Sequence, residues 1–295
     1  MNKRPIIVIA GCTASGKSDV ALRLAKEING VIINADSRQV YKEISIGTAK
    51  PIPDKIEDGV FIIDGIKHYL YSYISVKDEF NLYKYQKDVF SLLEKLPKDV
   101  TPILTGGTGL YIDSVVYNYK LKENRENKSN IDLGDLSIKE LQELVGSKKL
   151  EKLNESDREN PRRLIHIIKH GLPSIKKGKS LKHLYFFLNI DADTIKKNIR
   201  LRVEKMFERG LSKENEIIRK EGLNLYPALD TIGYTEFDQY FEGEKKIEEV
   251  KEDIITHTNQ YAKRQRTWFR RNENIVYVKN LEEILNTINT HLDRI

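Results

Sequence analysis

The feature that most constrains the fold is an eight-residue segment near the start of the chain. It is Gly11-Cys12-Thr13-Ala14-Ser15-Gly16-Lys17-Ser18, and it matches the pattern G-x-x-x-x-G-K-[ST] of a phosphate-binding P-loop. An apolar run at 5–10 precedes it and predicts a buried strand, and the apolar spacing of 19–28 predicts a helix. Because strand, glycine loop and helix follow in the order that the motif requires, we interpret the segment as the P-loop of an α/β protein rather than as a chance match.

The P-loop predicts what the chain binds, but not which reaction it performs. In such a loop the backbone N–H groups and the positive end of the following helix face one phosphate group. Lys17 adds a point charge, and the Ser18 hydroxyl is the expected ligand of a magnesium ion. The segment therefore predicts a diphosphate or triphosphate ligand, with Mg2+ as the cofactor.

A carboxylate follows the second predicted strand. Residues 31–35 are mostly apolar and lead into Asp36. In doubly wound sheets ligands bind at the carboxyl ends of the strands, so we expect Asp36 beside the P-loop. The pattern leaves three roles open for it, namely helix N-cap, magnesium ligand and general base. The turn-rich segment 45–51 is likewise either a ligand-binding loop or an ordinary surface loop.

A second glycine-rich turn, at 106–111, follows a predicted strand at 101–105. Its backbone N–H groups and the Thr108 hydroxyl suit phosphate oxygens, so the two turns together predict a diphosphate clamp. Apolar patterns predict the remaining elements of the core. They are an edge strand at 60–64, a helix at 81–96, a strand at 184–190, a helix at 193–209, a helix at 250–271, a strand at 275–278 and a helix at 281–291.

Length and composition narrow the class of protein. With 295 residues, of which 39% are hydrophobic, the chain is expected to form one large domain or one domain with a smaller companion. Cys12 is the one cysteine, which excludes an intrachain disulfide and fits a reducing cytoplasm. No apolar run approaches the ~20 residues of a membrane span and no signal peptide is apparent, so we expect a cytoplasmic protein without membrane contact. The histidines show no zinc spacing, and no protein-kinase or hydrolase signature is present.

Four segments together resemble the tRNA dimethylallyltransferase family, also called the tRNA isopentenyltransferase family. They lie at 11–18, 36–41, 46–51 and 106–111; a fifth lies at 261–270 and a smaller one at 232–234. The segments follow in the family's order over nearly the whole chain. The resemblance implies a P-loop NTPase-like parallel sheet core with a small helical insertion, which is shortened here. The implied division is 1–119 for the first part of the core, 120–182 for the tRNA-facing insertion, and 183–295 for the second part of the core with the basic C-terminal helix.

The resemblance also implies an activity. Members of this family transfer a dimethylallyl group from dimethylallyl diphosphate to the exocyclic amine, N6, of an adenosine. That adenosine lies next to the anticodon on its 3′ side, in tRNAs that read codons starting with U. The implied partners are therefore dimethylallyl diphosphate and the anticodon stem-loop of tRNA, and we expect the protein to act as a monomer. The P-loop is implied to hold the diphosphate of the donor and to hydrolyse no nucleotide.

The family's functional residues carry over to the matching positions of this chain. Asp36 is implied to be the general base for the attacking amine, and Thr108 the donor to the bridging oxygen of the diphosphate. Residues 11–18 and Arg202 are implied to hold the diphosphate, with Ser18 on magnesium. The implied tRNA contacts are Asp36, Ser37, Arg38, Gln39, Arg162, Arg163, His166, Lys263, Arg264 and Gln265.

The predicted insertion begins with a polar stretch and continues with helices. Residues 120–130 indicate a linker, and 137–153 predict one helix. A capping pattern at Asn160, followed by Pro161, predicts the start of another helix.

Several positions of this region depart from the family pattern. Asn160 replaces an Asp, His166 an Arg and Lys169 a Glu, whereas Arg163 is kept. Asn198, in the next predicted helix, stands where another Arg is common. These departures bear on the grip on the anticodon loop more than on the chemistry, and a solvated basic helix remains the alternative interpretation of the region.

The predicted C-terminal helix combines basic and aromatic side chains. Its members are Tyr261, Lys263, Arg264, Arg266, Trp268, Phe269, Arg270 and Arg271. This combination suits phosphate contact and base stacking, and the net charge of +6 suits a polyanionic partner. The alternative is a helix whose aromatic rings pack on the core while its charges are solvated. We expect both, with Trp268 and Phe269 packed and the arginines facing tRNA.

Three other functions compete with the tRNA prenyltransferase interpretation. A P-loop small-molecule kinase or phosphotransferase would use a nucleotide as phosphoryl donor and would have no use for the basic aromatic helix. An adenylate isopentenyltransferase would act on a free nucleotide and would need neither the insertion nor that helix. An RNA-binding P-loop protein without catalysis would not need to keep both Asp36 and Thr108.

Overall fold

The computed structural model describes residues 5–121, 133, 136–153, 155–172 and 176–292. It divides into two compact units, one formed by Met1–Asn118 with Lys179–Ile295 and the other by Tyr119–Gly178. We call these the core unit and the inserted unit. The inserted unit falls within the segment 120–182 that the sequence set apart, apart from its first residue.

An eight-stranded sheet forms the centre of the core unit, in the order β3-β4-β5-β2-β6-β1-β7-β8. The strands are β1 Ile6–Gly11, β2 Gly30–Asn34, β3 Lys55–Glu57, β4 Val60–Ile63, β5 Ile66–Tyr69, β6 Thr101–Gly106, β7 His183–Leu188 and β8 Val276–Val278. The strands from β5 to β8 in this order pair in parallel. The predicted α/β class with a parallel core is thereby confirmed.

Helices of the core unit connect and cover the strands. They are α1 Lys17–Glu27, α2 Leu82–Lys95, α3 Gly109–Val116, α8 Ala192–Glu208, α9 Leu211–Lys220, α10 Asp238–Phe241, α11 Ile247–Phe269 and α12 Leu281–Leu292. The side chain of Asn81 caps α2 by accepting a hydrogen bond from the N–H of Lys84. Each helix that the sequence predicted in this unit is present, with no end shifted by more than three residues.

The sheet order explains why the functional segments meet. β1, β2 and β6 are buried along their whole length, as expected for apolar strands covered on both faces. β6 lies between β2 and β1, and all three run in the same direction. Their carboxyl ends therefore bring the P-loop, Asp36 and the second glycine-rich turn to one edge of the sheet.

The prediction of an edge strand at 60–64 was wrong in one respect. β4 lies one position inside the edge, between β3 and β5, and pairs with both in antiparallel fashion. The hairpins turn at Asp58-Gly59 and Asp64-Gly65, where all four residues have positive φ. An Asp-Gly pair at the two central positions is one of the residue pairs that such a two-residue turn favours. An antiparallel hairpin thus extends the parallel core on this side.

The inserted unit is a small helical body with its own core. Its helices are α4 Ile138–Val145, α5 Ser147–Leu150, α6 Glu155–Arg158 and α7 Pro161–His170. Its buried residues include Leu133, Leu141, Val145, Leu153, Leu164 and Ile167. The single helix predicted at 137–153 was wrong, because Gly146 has a φ of 80° and separates α4 from α5. Of the linker predicted at 120–130, residues 122–130 lie outside the described residues.

No helix within the described part of the chain is both long and apolar enough to cross a membrane.

Candidate active site

A cavity of about 300 Å³ opens in the core unit where the functional segments meet. Its lining comes from the P-loop, the end of β2, the 45–51 loop, α8, the segment after α9, and α11. Among the lining residues are Thr13, Asp36, Ser37, Arg38, Thr48, Arg202, Tyr261 and Arg264. The sequence named Asp36, Thr13 and Arg202 as parts of one site, and the structure brings them to this cavity.

The first half of the P-loop is tied to two helices that are distant in sequence. The Cys12 Sγ donates to the carbonyl of Ala262 in α11 at 3.3 Å. From α8, Arg202 donates to the Thr13 hydroxyl at 3.0 Å, and the Asn198 amide donates to the Ala14 carbonyl at 3.1 Å. Because Ala14 has a φ of 60°, a conformation unfavourable for a residue with a Cβ, these contacts stabilise a strained turn.

The second half of the P-loop presents polar groups that suit an anion. The Ser15 hydroxyl is buried and finds no hydrogen-bond partner within the described structure. Gly16, with a φ of 83°, leads into the N-terminus of α1, where the first N–H groups of the helix lack intrahelical partners. A phosphate group at this position would satisfy both.

Lys17 shows the electrostatic character of the site. Burial, and then the charge of Arg202, lower the pKa of Lys17 to about 8, whereas Asp36 and Cys12 act to raise it. The Lys17 ammonium donates to the Cys12 carbonyl at 3.3 Å. Two cationic side chains held close together in a partly buried site favour a multiply charged anion.

Asp36 is held by a local turn. No helix begins there, so the structure does not support the N-cap interpretation. Instead its Oδ1 accepts hydrogen bonds from the backbone N–H groups of Arg38, at 2.9 Å, and Gln39, at 3.4 Å. Both bonds reach Oδ1, and Oδ2 is not engaged by any described residue. The carboxylate is thus oriented by its own chain, with one oxygen available to a ligand in the cavity.

The second glycine-rich turn packs against the end of β2. The Thr108 N–H donates to the Ala35 carbonyl at 3.3 Å, and the Thr108 hydroxyl accepts from the Ser37 N–H at 3.1 Å. A Cβ at Gly106 would lie 2.2 Å from the Ala35 oxygen, so only glycine allows this approach. Thr108 is therefore positioned directly beside the turn that holds Asp36.

Helix α11 covers the site with one face. Tyr261 lies over the cavity, and burial, followed by the charge of Asp36, raises its pKa to about 12. Trp268 donates to the buried Asp113 at 3.0 Å, as the sequence analysis expected of a packed ring. Lys263 is exposed on the other face, and Arg264 is exposed at the edge of the cavity, over the Tyr261 ring.

Three of the predicted tRNA contacts use their side chains to bond other parts of the core unit. Gln265 is buried and bonds both glycine-rich turns, through the Thr13 N–H at 2.7 Å and the Gly107 carbonyl at 3.0 Å. Gln39 donates to the carbonyls of Thr48 and Ala49. Arg38 donates to the carbonyls of Ala228 and Asp230. Arg38 still lines the cavity, but the Gln265 amide is directed away from solvent, which the local pattern did not reveal.

The predicted contacts Arg162, Arg163 and His166 lie on α7 of the inserted unit. Asn160 caps this helix through the N–H of Arg163 at 3.2 Å, as its capping pattern predicted. Arg162 and His166 are exposed, whereas the Nε of Arg163 lies 3.6 Å from Oδ1 of Asp157. The inserted unit thus presents basic side chains on one helix.

Sequence reasoning missed the support beneath the 45–51 loop. The Glu214 carboxylate accepts from the backbone N–H groups of Ser45, Ile46 and Gly47, and from the Tyr234 hydroxyl at 2.6 Å. A single glutamate in the first turn of α9 carries no local signal of this role, because the backbone groups that it bonds lie about 170 residues away in sequence.

Lys50 supports the same region from the inside. It is buried and donates to the Tyr41 carbonyl and to the Ser72 hydroxyl. Burial lowers the pKa of Lys50 to about 8. The loop is therefore a packed part of the site, which favours the ligand-binding interpretation of 45–51 over a plain surface loop.

The residues also indicate how a magnesium ion would be held. No group of three or more His, Cys, Asp or Glu side chains suited to a metal occurs among the described residues. The exposed Ser18 hydroxyl is at the start of α1, three residues after the buried Ser15 hydroxyl in sequence. This set fits a magnesium ion bound mainly through the oxygens of a phosphate ligand, with one hydroxyl from the protein.

Comparison with known proteins identifies the family. The IPP transferase family model matches residues 39–272. The tRNA dimethylallyltransferase of Gloeothece citriformis is 38% identical over 278 residues, covering 91% of this chain and 89% of that protein. The tRNA dimethylallyltransferase of Acholeplasma laidlawii is 33% identical, with 90% and 89% covered.

A solved structure agrees with the sequence relatives. The tRNA isopentenylpyrophosphate transferase of Bacillus halodurans superimposes with a TM-score of 0.73 at 27% identity, covering 99% of this chain and 98% of that one. The match extends over the P-loop as well as the region matched by the family model. The chain therefore belongs to the IPP transferase family, which confirms the resemblance drawn from its motifs.

Proposed function

We propose that this member of the IPP transferase family transfers a dimethylallyl group from dimethylallyl diphosphate to N6 of an adenosine in tRNA. The acceptor is the adenosine next to the anticodon on its 3′ side, in tRNAs that read codons starting with U. The observation that carries the proposal is the meeting of Asp36 and Thr108 at the mouth of a P-loop, beside one cavity. The relatives that match nearly the whole chain are named tRNA dimethylallyltransferases.

The donor diphosphate fits the second half of the P-loop. The N–H groups at the start of α1 and the Lys17 ammonium provide positive charge there. Arg202 adds a second cation, and its position is maintained by the Thr13 hydroxyl. Because the first half of the loop is bonded to α8 and α11, its geometry is determined before the donor arrives, which lowers the entropic cost of binding.

Magnesium would be held by Ser18 together with oxygens of the diphosphate. When bound, the ion neutralises charge on the diphosphate as it leaves. Lys17, Arg202 and the Thr108 hydroxyl act on the same group from the protein side. Thr108 is suited to donate to the bridging oxygen, on which charge develops as the bond to carbon breaks.

The acceptor amine is suited to deprotonation by Asp36. As the N6 nitrogen forms a bond to C1 of the dimethylallyl group, the C1–O bond breaks and its electron pair leaves with the diphosphate. The nitrogen then carries an excess proton, which Oδ2 of Asp36 accepts. Oδ1 remains bonded to the backbone of Arg38 and Gln39, so the carboxylate keeps its orientation during the transfer.

The cavity is suited to one extruded nucleotide. The N6 amine cannot reach a carboxylate inside a protein while its base is stacked within an anticodon loop, so the base must be flipped out. Lys263 and Arg264 on the exposed face of α11 are suited to the neighbouring phosphates, and the basic residues of α7 provide a second contact. A monomer is sufficient for this arrangement, because every group invoked comes from one chain.

The proposal is tested by transfer of a radiolabelled dimethylallyl group to unmodified tRNA. Asp36→Asn keeps the shape and the Oδ1 acceptor but cannot accept a proton, so we expect the rate of transfer to fall about 10²- to 10⁴-fold. Asp58→Asn, in the exposed β3–β4 turn, is the matched control and should transfer at the wild-type rate. Wild-type protein that labels adenosine monophosphate but not tRNA would contradict the proposal, as would phosphoryl transfer from ATP in place of prenyl transfer.

A further inference from the structure

One side chain of α11 joins the two glycine-rich turns. Gln265 is only 4% exposed. Its Oε1 accepts a hydrogen bond from the Thr13 N–H at 2.7 Å, and its Nε2 donates to the Gly107 carbonyl at 3.0 Å. Because a backbone N–H can only donate and a carbonyl can only accept, these partners determine the orientation of the amide. We propose that Gln265 is a positioning residue, which holds the P-loop and the second turn at the spacing that a bound diphosphate requires.

The contact with the second turn leaves no room for another arrangement. A Cβ at Gly107 would lie 2.1 Å from the Nε2 of Gln265 and 3.7 Å from the Gly11 carbonyl. The amide therefore packs directly on the backbone of one turn while it bonds the other. A shift of the amide away from this position would change the distance between the two turns.

The hydrogen bond to Thr13 also indicates which N–H groups of the P-loop remain available to a ligand. The Thr13 N–H is occupied by Gln265, and the Ser15 N–H donates to the Cys12 carbonyl at 3.2 Å. The diphosphate is then left to the other N–H groups of the loop, including those of Ala14 and Gly16, and to those at the start of α1. The Thr13 N–H therefore holds the P-loop in place through Gln265 and does not bind the ligand.

The residues near Gln265 on α11 fall into two groups, one facing the glycine-rich turns and one proposed to contact tRNA. Tyr261, Gln265 and Trp268 are four and three residues apart, so they share the face that covers the turns. Lys263 lies on the exposed face, whereas Arg264 is exposed but also lines the cavity beside Tyr261. Gln265 therefore belongs to the diphosphate side of α11, although it is next in sequence to Arg264.

The first test compares Gln265→Met with Lys263→Ala, a change on the exposed face of α11 outside the cavity lining. Methionine keeps the length of the side chain but makes neither hydrogen bond. Two hydrogen bonds of ordinary strength correspond to roughly ten- to thirtyfold in affinity. We expect calorimetric titration with magnesium diphosphate to show that loss for Gln265→Met, with the donor KM raised similarly. The dissociation constant for tRNA, measured without donor, should stay within about twofold of wild type. Lys263→Ala should show the opposite, weaker tRNA binding and unchanged diphosphate binding.

The second test uses Gln265→Glu, which has the same shape. An ionised carboxylate still accepts from Thr13 but places an oxygen against the Gly107 carbonyl, whereas a protonated carboxyl can donate there. Burial favours the protonated form of a carboxyl. We therefore expect diphosphate affinity, relative to wild type at the same pH, to be weak at pH 8 and to recover at pH 5.5. A structural defect alone would not be relieved by protonation.

The inference rests on the proposed function only because it takes a diphosphate as the ligand. Failure of the inference can be distinguished from failure of the proposed function. Wild-type protein that transfers the prenyl group, together with a Gln265→Met variant that binds diphosphate normally and tRNA weakly, would overturn the role of Gln265 alone. Wild-type protein that neither binds diphosphate nor transfers the prenyl group would overturn both. An unchanged ratio of Gln265→Glu to wild-type affinity across pH would also contradict the inference.

Discussion

At the scale of single residues, Thr13 shows how much of this site depends on contacts between distant parts of the chain. Its N–H is bonded by Gln265, 252 residues away, and its hydroxyl by Arg202, 189 residues away. The motif predicts a P-loop from eight adjacent residues, but it does not say what holds the loop. Asn198 makes the same point, because it departs from the family pattern and yet bonds the Ala14 carbonyl.

Lys50 provides a prediction about pH and stability. Burial lowers the pKa of Lys50 to about 8 in the folded protein, whereas an unfolded chain keeps the pKa of lysine near ~10.4. As the pH rises above 8, the folded protein releases this proton first, so the unfolded state binds more protons and the free energy of unfolding increases. Between pH 7 and pH 9.5 this contribution is about 2 kcal/mol.

The measurement is denaturant unfolding of wild type and Lys50→Arg across that pH range. An arginine side chain stays charged throughout, so the variant should lack the gain while sharing every other titration of the protein. A difference between the two proteins that does not change with pH would contradict the prediction.

At the scale of elements, α11 is the part of the structure that organises the site. Its inner face bonds both glycine-rich turns and α3, the helix that follows the second of these turns. Trp268 contributes through Asp113 of α3, whose other oxygen accepts from the Tyr185 hydroxyl at 3.2 Å. A Cβ at Gly109 would lie 2.2 Å from the Trp268 ring, so the ring also packs on the start of α3.

Trp268→Phe tests this packing. Phenylalanine keeps an aromatic ring but cannot donate to the Asp113 carboxylate, which is 8% exposed. Removing a donor from a buried carboxylate costs about 1–3 kcal/mol. Denaturant unfolding should show a loss of that size, whereas Thr267→Ala, on the exposed face one residue away, should stay within about 0.5 kcal/mol of wild type. Equal stability of the two variants would mean that the hydrogen bond contributes nothing.

At the scale of the whole molecule, the two units contain separate hydrophobic cores. The core unit carries the diphosphate site, and the inserted unit carries Arg162, Arg163 and His166 on α7. The core of the inserted unit is small, and its Leu141, Leu164 and Ile167 are fully buried. Damage to that core should therefore affect tRNA binding without reaching the diphosphate site.

Leu164→Ala tests this separation. Truncating a fully buried leucine costs about 2–5 kcal/mol, which is large for a unit of this size. We expect tRNA affinity to fall at least tenfold, because α7 loses its packing, while calorimetry shows magnesium diphosphate binding unchanged. Leu144→Ala, an exposed leucine of the same unit, is the control and should change neither. Parallel loss of both affinities would show that the units do not act separately.

The sequence predicted those features that arise from local patterns. The P-loop, the apolar core strands and the second glycine-rich turn were predicted because each is encoded by adjacent residues with a known period or motif, whereas the parallel sheet was implied by the family resemblance. The position of β4 was not, because strand order depends on pairing between segments, although Asp58-Gly59 and Asp64-Gly65 did carry the hairpin signal. The role of Gln265 could not be predicted either, since it depends on two turns more than 150 residues away.

Mass spectrometry of nucleosides from initially unmodified tRNA would show directly whether the protein prenylates the adenosine beside the anticodon. The tRNA would be incubated with wild-type protein, magnesium and dimethylallyl diphosphate, then digested and mapped by position. We expect one added five-carbon group on N6 of adenosine. This modification should be confined to the adenosine next to the anticodon on its 3′ side. The proposed function would be contradicted by tRNA that stays unmodified after incubation, or by five-carbon groups found at other positions.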